Sequence, residues 1–209
     1  AVMTVGNTPA TSGQSEYLIQ TAPGVASNKG DPMSFNDGGA TAGEAGMVQD
    51  ASFTVTDDGG NGGTAWTTAN SALLLGVFNG AFFIDATGKP TFANNIVAGQ
   101  TTSADYNTGS DDITAFIIDN PNQEYVVKAD AALAQTLLGV NPMQGFNTNN
   151  YTATANLSGQ SITTLDVGSA ATTAMFTAVR SANDPENRDK TVAGSNWVVV
   201  AAPASALFN

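Results

Sequence analysis

The sequence predicts an all-β protein: a single β-barrel-like domain with one short helix and extended termini. Short stretches rich in aliphatic and aromatic residues recur along the 209-residue chain, and Gly, Pro, Asn and Asp separate them at close spacing. This pattern is typical of a β-sandwich or a closed barrel. A hydrophobic fraction of 42% is sufficient to bury a core. A single short segment, residues 131–138, has the composition of a helix.

The domain organisation follows from where these stretches begin and end. Residues 1–15 are mostly small and polar, which predicts an extended N-terminal arm. Residues 16–203 carry the predicted strands without a clean linker, so we expect one β-barrel domain there, followed by a C-terminal tail at 204–209. Because a few apolar residues in both termini have no place in the barrel, we expect at least one terminus to pair with a neighbouring chain.

The first half of the chain begins with a predicted strand at residues 17–20 (YLIQ). A turn is predicted at 30–33 (GDPM), where Gly and Pro flank an Asp. A second β-prone region covers 47–55, and DDGGNGG at 57–63 predicts a flexible loop.

The most apolar stretch is LLLGVFNGAFFIDATGKPTF, residues 73–92. Residues 73–84 predict a long strand, and the DATGK that follows predicts a tight turn in which Gly88 adopts a positive φ. The return strand begins at 89–92. The stretch has no His and no Cys, and its one acid, Asp85, lies at the turn. We therefore interpret this hairpin as scaffold.

The second half of the chain contains two strands and the predicted helix. ITAFIID at 113–119 and EYVVK at 124–128 flank an NPN turn and are predicted to pair with each other. In the helix at 131–138, Asp130 is placed to cap the first turn and Gly139 to end the last one. Further strands are predicted at 161–167, 175–179 and 197–202.

The charge balance excludes two classes of partner. The chain has 18 acidic and 6 basic residues, a net charge of −12, and only 11% charged residues. Nucleic-acid binding requires clustered Lys and Arg, and an anionic membrane surface repels an acidic chain. No apolar run reaches the 18 residues of a membrane span, and the first fourteen residues lack the pattern of a secretory signal. We expect neither nucleic acid nor membrane as a partner.

The residue types needed for common catalysis are missing. Without His or Cys, the chain can form no Ser-His-Asp triad, no thiolate site and no disulfide. Acidic groups could hold calcium through oxygen ligands, but none has the EF-hand spacing with its closing Glu. We therefore predict no enzyme, and no catalytic, cofactor-binding or metal-binding residues. The acidic groups considered are Asp57 with Asp58 and Asn61, Asp111 with Asp112, and Asp184 with Glu186 and Asp189.

Five short motifs occur in a particular order: Gly30-Asp31-Pro32, LGVF at 75–78, AFIIDNP at 115–121, KAD at 128–130 and DPEN at 184–187. In this order, over residues 17–202, the chain resembles a family of small structural proteins of tailed-bacteriophage particles, the head decoration or capsid cement proteins. The resemblance implies a virion protein on the outer capsid surface that binds the major capsid protein. Such a protein stabilises contacts between capsid subunits as a homo-oligomer or in many copies, without a cofactor.

Two other functions remain open at the level of sequence. A carbohydrate-binding or adhesion module, as part of a tail fibre or surface layer, is the main alternative, and the shortage of paired exposed aromatic residues counts against it. A hydrolase built on paired carboxylates is disfavoured, because neither Trp66 nor Trp197 has an acid within several residues.

Overall fold

The computed structural model describes residues 3–5, 13–19, 26–35, 47–50, 56–57, 64–65, 74–97, 99–102, 113–120, 122–134, 138, 145–149, 160–161, 163–171, 176–183 and 197–201. These residues contain strands and no helix. The strands are β1 (Met3–Val5), β2 (Gln14–Ile19), β3 (Ser27–Asn28), β4 (Pro32–Phe35), β5 (Val48–Asp50), β6 (Thr56–Asp57), β7 (Thr64–Ala65), β8 (Leu74–Ile84), β9 (Pro90–Ala93), β10 (Asn95–Ile96), β11 (Ile113–Ile118), β12 (Glu124–Lys128), β13 (Gly145–Asn149), β14 (Thr164–Ala171), β15 (Phe176–Ser181) and β16 (Trp197–Ala201).

The first sheet has the order β1-β12-β16-β15-β13-β14, and all its neighbours are antiparallel. A parallel bridge between Ala129 and Leu165 brings β14 back to the end of β12. The backbone N–H of Asp130 donates to the Leu165 carbonyl oxygen at 3.0 Å, which extends this contact. The sheet therefore curls towards closure.

The second sheet has the order β11-β2-β5-β4-β8-β9. Because β11 also pairs with β8, the strands β8, β11, β2, β5 and β4 form a closed ring, and β9 continues beyond β8. Two shorter pairs, β3 with β10 and β6 with β7, complete the described strands. The predicted all-β, barrel-like class is confirmed.

Each sheet encloses a separate hydrophobic core, and β8 contributes to both. Leu74 and Val77 of β8 pack in the core of the first sheet, whereas Phe78, Ala81 and Phe83 pack in the core of the second. A strand that is buried on both faces has a continuous apolar sequence instead of an alternating one. This double burial explains the long apolar run that the sequence shows at 73–84.

The turn that joins β8 to β9 forms as the sequence predicts. Gly88 has a φ of 84°, a conformation that residues with a Cβ rarely adopt. One oxygen of the Asp85 carboxylate accepts hydrogen bonds from the backbone N–H groups of Thr87 (2.8 Å) and Lys89 (3.0 Å). Asp85 therefore stabilises the turn.

The predicted pairing of 113–119 with 124–128 is wrong, although both segments are strands. β11 pairs with β2 and β8, whereas β12 pairs with β1 and β16 in the other sheet. The buried residues of β11, such as Ile117, belong to the second core, and those of β12, such as Val127, belong to the first. Each strand therefore buries its apolar face in a different core. If the two strands formed a hairpin, both would lie in one sheet and could not do so.

The predicted helix at 131–138 is absent from the part of this segment that the structure describes. Residues 131–134 are irregular, and 135–137 lie outside the described residues. Asp130 does not cap a helix, because its Oδ1 accepts a hydrogen bond from the N–H of Val167 in β14 at 3.0 Å. A helix of two turns has little stability of its own, and the pairing with β14 replaces it.

The termini depart from the expected picture in part. Residues 3–5 of the predicted arm form β1 and pair with β12 of the same chain, with Met3 opposite Val126, whereas the prediction is that at least one terminus pairs with a neighbouring chain. Pairing within the chain avoids the entropy cost of association. β2 begins at Gln14, inside the predicted arm. The predicted tail at 204–209 lies outside the described residues.

Candidate interaction surface

The acidic groups weighed as metal ligands are largely outside the described residues. Asp57 ends β6, whereas Asp58, Asn61, Asp111, Asp112, Asp184, Glu186 and Asp189 are not described. Among the described residues there is no group of three or more acidic side chains that could hold a metal ion. The same residues include no helix long and apolar enough to cross a bilayer.

The Gly30-Asp31-Pro32 motif forms a tight turn that connects several strands. Gly30 has a φ of 101°, and its N–H donates to the carbonyl oxygen of Phe78 in β8 at 2.8 Å. The N–H of Phe78 in turn donates to the Asp31 carbonyl oxygen at 2.8 Å. On the other side, the N–H of Ser161 donates to the Lys29 carbonyl oxygen at 2.8 Å. The turn therefore ties β8 to the segment that leads into β14.

The side chain of Asp31 is buried at the centre of this connection, and the residue is 3% exposed. Its Oδ2 accepts hydrogen bonds from the backbone N–H of Asn28 (2.7 Å) and from Asn28 Nδ2 (3.2 Å). Its Oδ1 accepts one from the Thr163 hydroxyl at 3.1 Å. Both oxygens are occupied by donors of the chain itself, so this carboxylate has a structural role.

A second polar cluster lies where β11 ends. The Tyr17 hydroxyl donates to the Asp119 carboxylate at 2.7 Å, and Asn79 Nδ2 donates to Gln14 Oε1 at 2.6 Å. Burial, followed by the hydrogen bond and the negative charge of Asp119, raises the pKa of Tyr17 from 10.0 to about 12. Burial also raises the pKa of Tyr125. These tyrosines act as neutral donors that fix the end of the barrel.

The raised pKa of Tyr17 predicts a pH-dependent contribution to stability. A phenol whose folded pKa exceeds 10.0 stabilises the fold fully below pH 10 and loses this effect as the pH rises towards 12. We expect Tyr17→Phe to lower the free energy of unfolding by about 1 kcal/mol at pH 8. The difference from the wild type should shrink by pH 11.5 in denaturant titrations. An equal difference at both pH values would contradict this assignment.

The most exposed large apolar side chain among the described residues is Phe92, at 76%. It lies on the outer side of the second sheet together with Phe82, Phe116 and Leu18, which we call the aromatic face. Leu18 is 43% exposed, and Phe82 and Phe116 are half-buried.

Strand register places these side chains in one continuous patch. Phe92 of β9 is opposite Phe82 of β8, Phe82 is opposite Thr114 of β11, and Thr114 is opposite Leu18 of β2. These positions alternate with residues that point into the core, such as Ala115. The aromatic face therefore crosses four neighbouring strands.

In the aromatic face, the ring of Phe92 pairs with the rings of both Phe82 and Phe116. The centroids of Phe82 and Phe92 are 4.7 Å apart, and those of Phe92 and Phe116 are 6.5 Å apart with nearly parallel planes, at 13°. Gly80 of β8 is opposite Phe116 of β11, and it has no side chain that could separate the ring of Phe116 from that of Phe92. The rings support one another and form a preorganised apolar surface.

The sequence predicted the strands of the aromatic face but did not reveal the face itself. The signal was present in the alternation of ITAFII and PTFA, whose aromatic residues alternate with less exposed ones. Which side of the second sheet faces outwards, however, depends on the order in which β9, β8, β11 and β2 pair. Apart from the β8–β9 hairpin, the paired strands lie far apart in the sequence, so local patterns do not reveal their order.

A comparison of the chain with protein-family models, with curated proteins and with solved structures finds no match.

Proposed function

We propose that this chain is a structural protein of a tailed-phage particle, a decoration protein that binds the outer surface of the head. In this role it stabilises contacts between major capsid subunits and performs no chemistry. The observation that carries the proposal is the aromatic face, in which a large apolar side chain is held exposed by a rigid sheet. Exposed apolar patches mark sites of contact with other proteins.

Three further features support a contact role. The five motifs that resemble the decoration family include Gly30-Asp31-Pro32, whose turn ties the second sheet to the segment that leads into β14. The carboxylate of Asp31 is occupied by hydrogen bonds, so the described residues offer no reactive group there. The closed ring of the second sheet gives the aromatic face a fixed shape, which reduces the entropy lost on binding.

A carbohydrate-binding module is the second candidate, because sugars also stack on exposed aromatic rings. Phe92 and Phe116 provide such rings with nearly parallel planes. A glycan array probed with the wild-type chain and with Phe92→Ala separates the two candidates. Specific binding to one glycan that the variant loses would favour the carbohydrate-binding role.

The proposal is tested with empty shells assembled from the major capsid protein without decoration protein. We expect the purified chain to bind these shells saturably and to raise the temperature at which they disassemble, since many copies bind only the assembled state. Electron cryo-microscopy of the decorated shells should show density on their outer surface. The absence of binding at micromolar concentrations would refute the proposed function.

A further inference from the structure

The aromatic face is too small to form a stable dimer by itself. Stable interfaces bury about 800 Å² on each partner, and a fully buried aromatic side chain contributes about 150–250 Å². Three rings that are already partly covered, with Leu18, provide a few hundred Å² at most. Two copies of a chain with a net charge of −12 also repel each other. A second copy is therefore disfavoured as the occupant.

The charge beside the aromatic face indicates what kind of partner it fits. Glu16 of β2 is opposite Phe116 of β11, so their side chains are neighbours on the outer side of the sheet. Glu16 is exposed, and it forms no ion pair with any residue that the structure describes. The strand positions that form this face, on β2, β8, β9 and β11, carry neither Lys nor Arg. The surface thus combines aromatic rings with an available carboxylate.

Arginine is the side chain that matches this combination. Its planar guanidinium stacks on aromatic rings, is weakly hydrated, and donates two parallel hydrogen bonds to a carboxylate. A lysine ammonium is strongly hydrated and lacks the planar fork. An arginine lying over Phe116 can reach Glu16, while apolar neighbours in the same segment contact Phe92 and Leu18.

We infer that the aromatic face binds an extended protein segment that carries an arginine between apolar residues, with the guanidinium held by Phe116 and Glu16. This inference rests on the proposed function, because the segment is taken to belong to a major capsid subunit. Each contact is small, but the many copies bound to one shell add their stabilising effects on the assembled state.

The first experiment tests the chemistry without any capsid. The intact chain, labelled with nitrogen-15, is titrated with the peptide Val-Ser-Arg-Ser-Val, whose arginine and two valines point to the same side when it is extended, and with the same peptide containing citrulline or lysine in place of arginine. We expect amide shifts confined to β2, β8, β9 and β11, and an affinity for the arginine peptide at least fivefold higher than for either analogue. Equal affinities, or shifts elsewhere in the chain, would overturn the inference.

The second experiment measures variants on empty capsid shells. Phe92→Ala should weaken binding at least tenfold, and Glu16→Gln should weaken it about threefold to tenfold and reduce its dependence on salt. Val97→Ala and Glu124→Gln are controls away from the aromatic face, because Val97 is 42% exposed outside it and Glu124 lies on the first sheet, where it forms an ion pair with Arg180 at 2.7 Å. Both controls should bind like the wild type.

The outcomes separate the inference from the proposed function. If the wild type binds shells and Phe92→Ala and Glu16→Gln bind equally well, the inference is wrong while the decoration role stands. If the wild type does not bind the shells but binds the arginine peptide more tightly than its two analogues, the inferred chemistry stands and the capsid is not the partner. If neither shells nor peptide bind, both are refuted.

Discussion

Gly76→Ala is expected to destabilise the protein by at least about 3 kcal/mol, which is a large part of the total stability of a typical domain. Gly76 lies in β8, where the strand approaches the end of β11 so closely that an added Cβ would overlap the carbonyl group of Ile118. Because the colliding atoms belong to the backbone, no side-chain rotation can relieve the contact. The two strands would have to separate, and their separation would open the ring of the second sheet.

The measurement is the free energy of unfolding in denaturant, with Gly88→Ala as the matched control. Gly88 has a positive φ, but an added Cβ there would meet nothing within 4 Å. Its substitution should therefore cost only about 1 kcal/mol, from backbone strain alone. If Gly76→Ala were no more destabilising than Gly88→Ala, the close approach of β8 to β11 would be refuted.

Asp31→Ala is expected to cost about 3 kcal/mol, for a different reason. The substitution removes a buried acceptor and leaves the backbone N–H and side-chain amide of Asn28, together with the Thr163 hydroxyl, without their partner. Each buried donor left without an acceptor costs about 1–3 kcal/mol. The alanine variant also avoids the cost of burying a charge, and this gain offsets part of the loss. The turn that ties β8 to the segment before β14 should loosen.

Two controls define the Asp31 experiment. Thr163→Val removes one of the three hydrogen bonds and should cost about 1 kcal/mol. Asp85→Ala removes a carboxylate that also accepts three hydrogen bonds, from the N–H and hydroxyl of Thr87 and the N–H of Lys89, but at a turn on the protein surface. Water replaces those bonds, so the loss should be much smaller. Similar losses for Asp31→Ala and Asp85→Ala would show that burial is not the cause.

Local chemistry explains which elements could be predicted from the sequence. The strand at 73–84, the turn with Gly88 and the return strand depend on neighbouring residues, and all three are as expected. The strands β11 and β12 were also evident from their composition, but their partners were not. Strand pairing depends on which core each buried face joins, and that choice involves residues far apart in the chain.

The features that sequence analysis missed depend on contacts across long separations. Asp130 and Ala131 resemble the start of a helix locally, but Val167, 37 positions away, provides the competing hydrogen bond. Gly76 is confined by Ile118, which follows it by more than 40 positions in the sequence. The exposure of Phe92 likewise follows from sheet order and not from its neighbours.

The sharing of β8 between the two cores makes the two sheets cooperative. Leu74 and Val77 anchor this strand in the first core, and Phe78 anchors it in the second. If either core were lost, one face of the strand would be exposed, and the strand would no longer be held in the geometry that the remaining core requires. We therefore expect both sheets to unfold in a single transition. The described strands of the two sheets then form one cooperative unit, and separating the sheets onto two polypeptides would leave one core without the residues that β8 contributes.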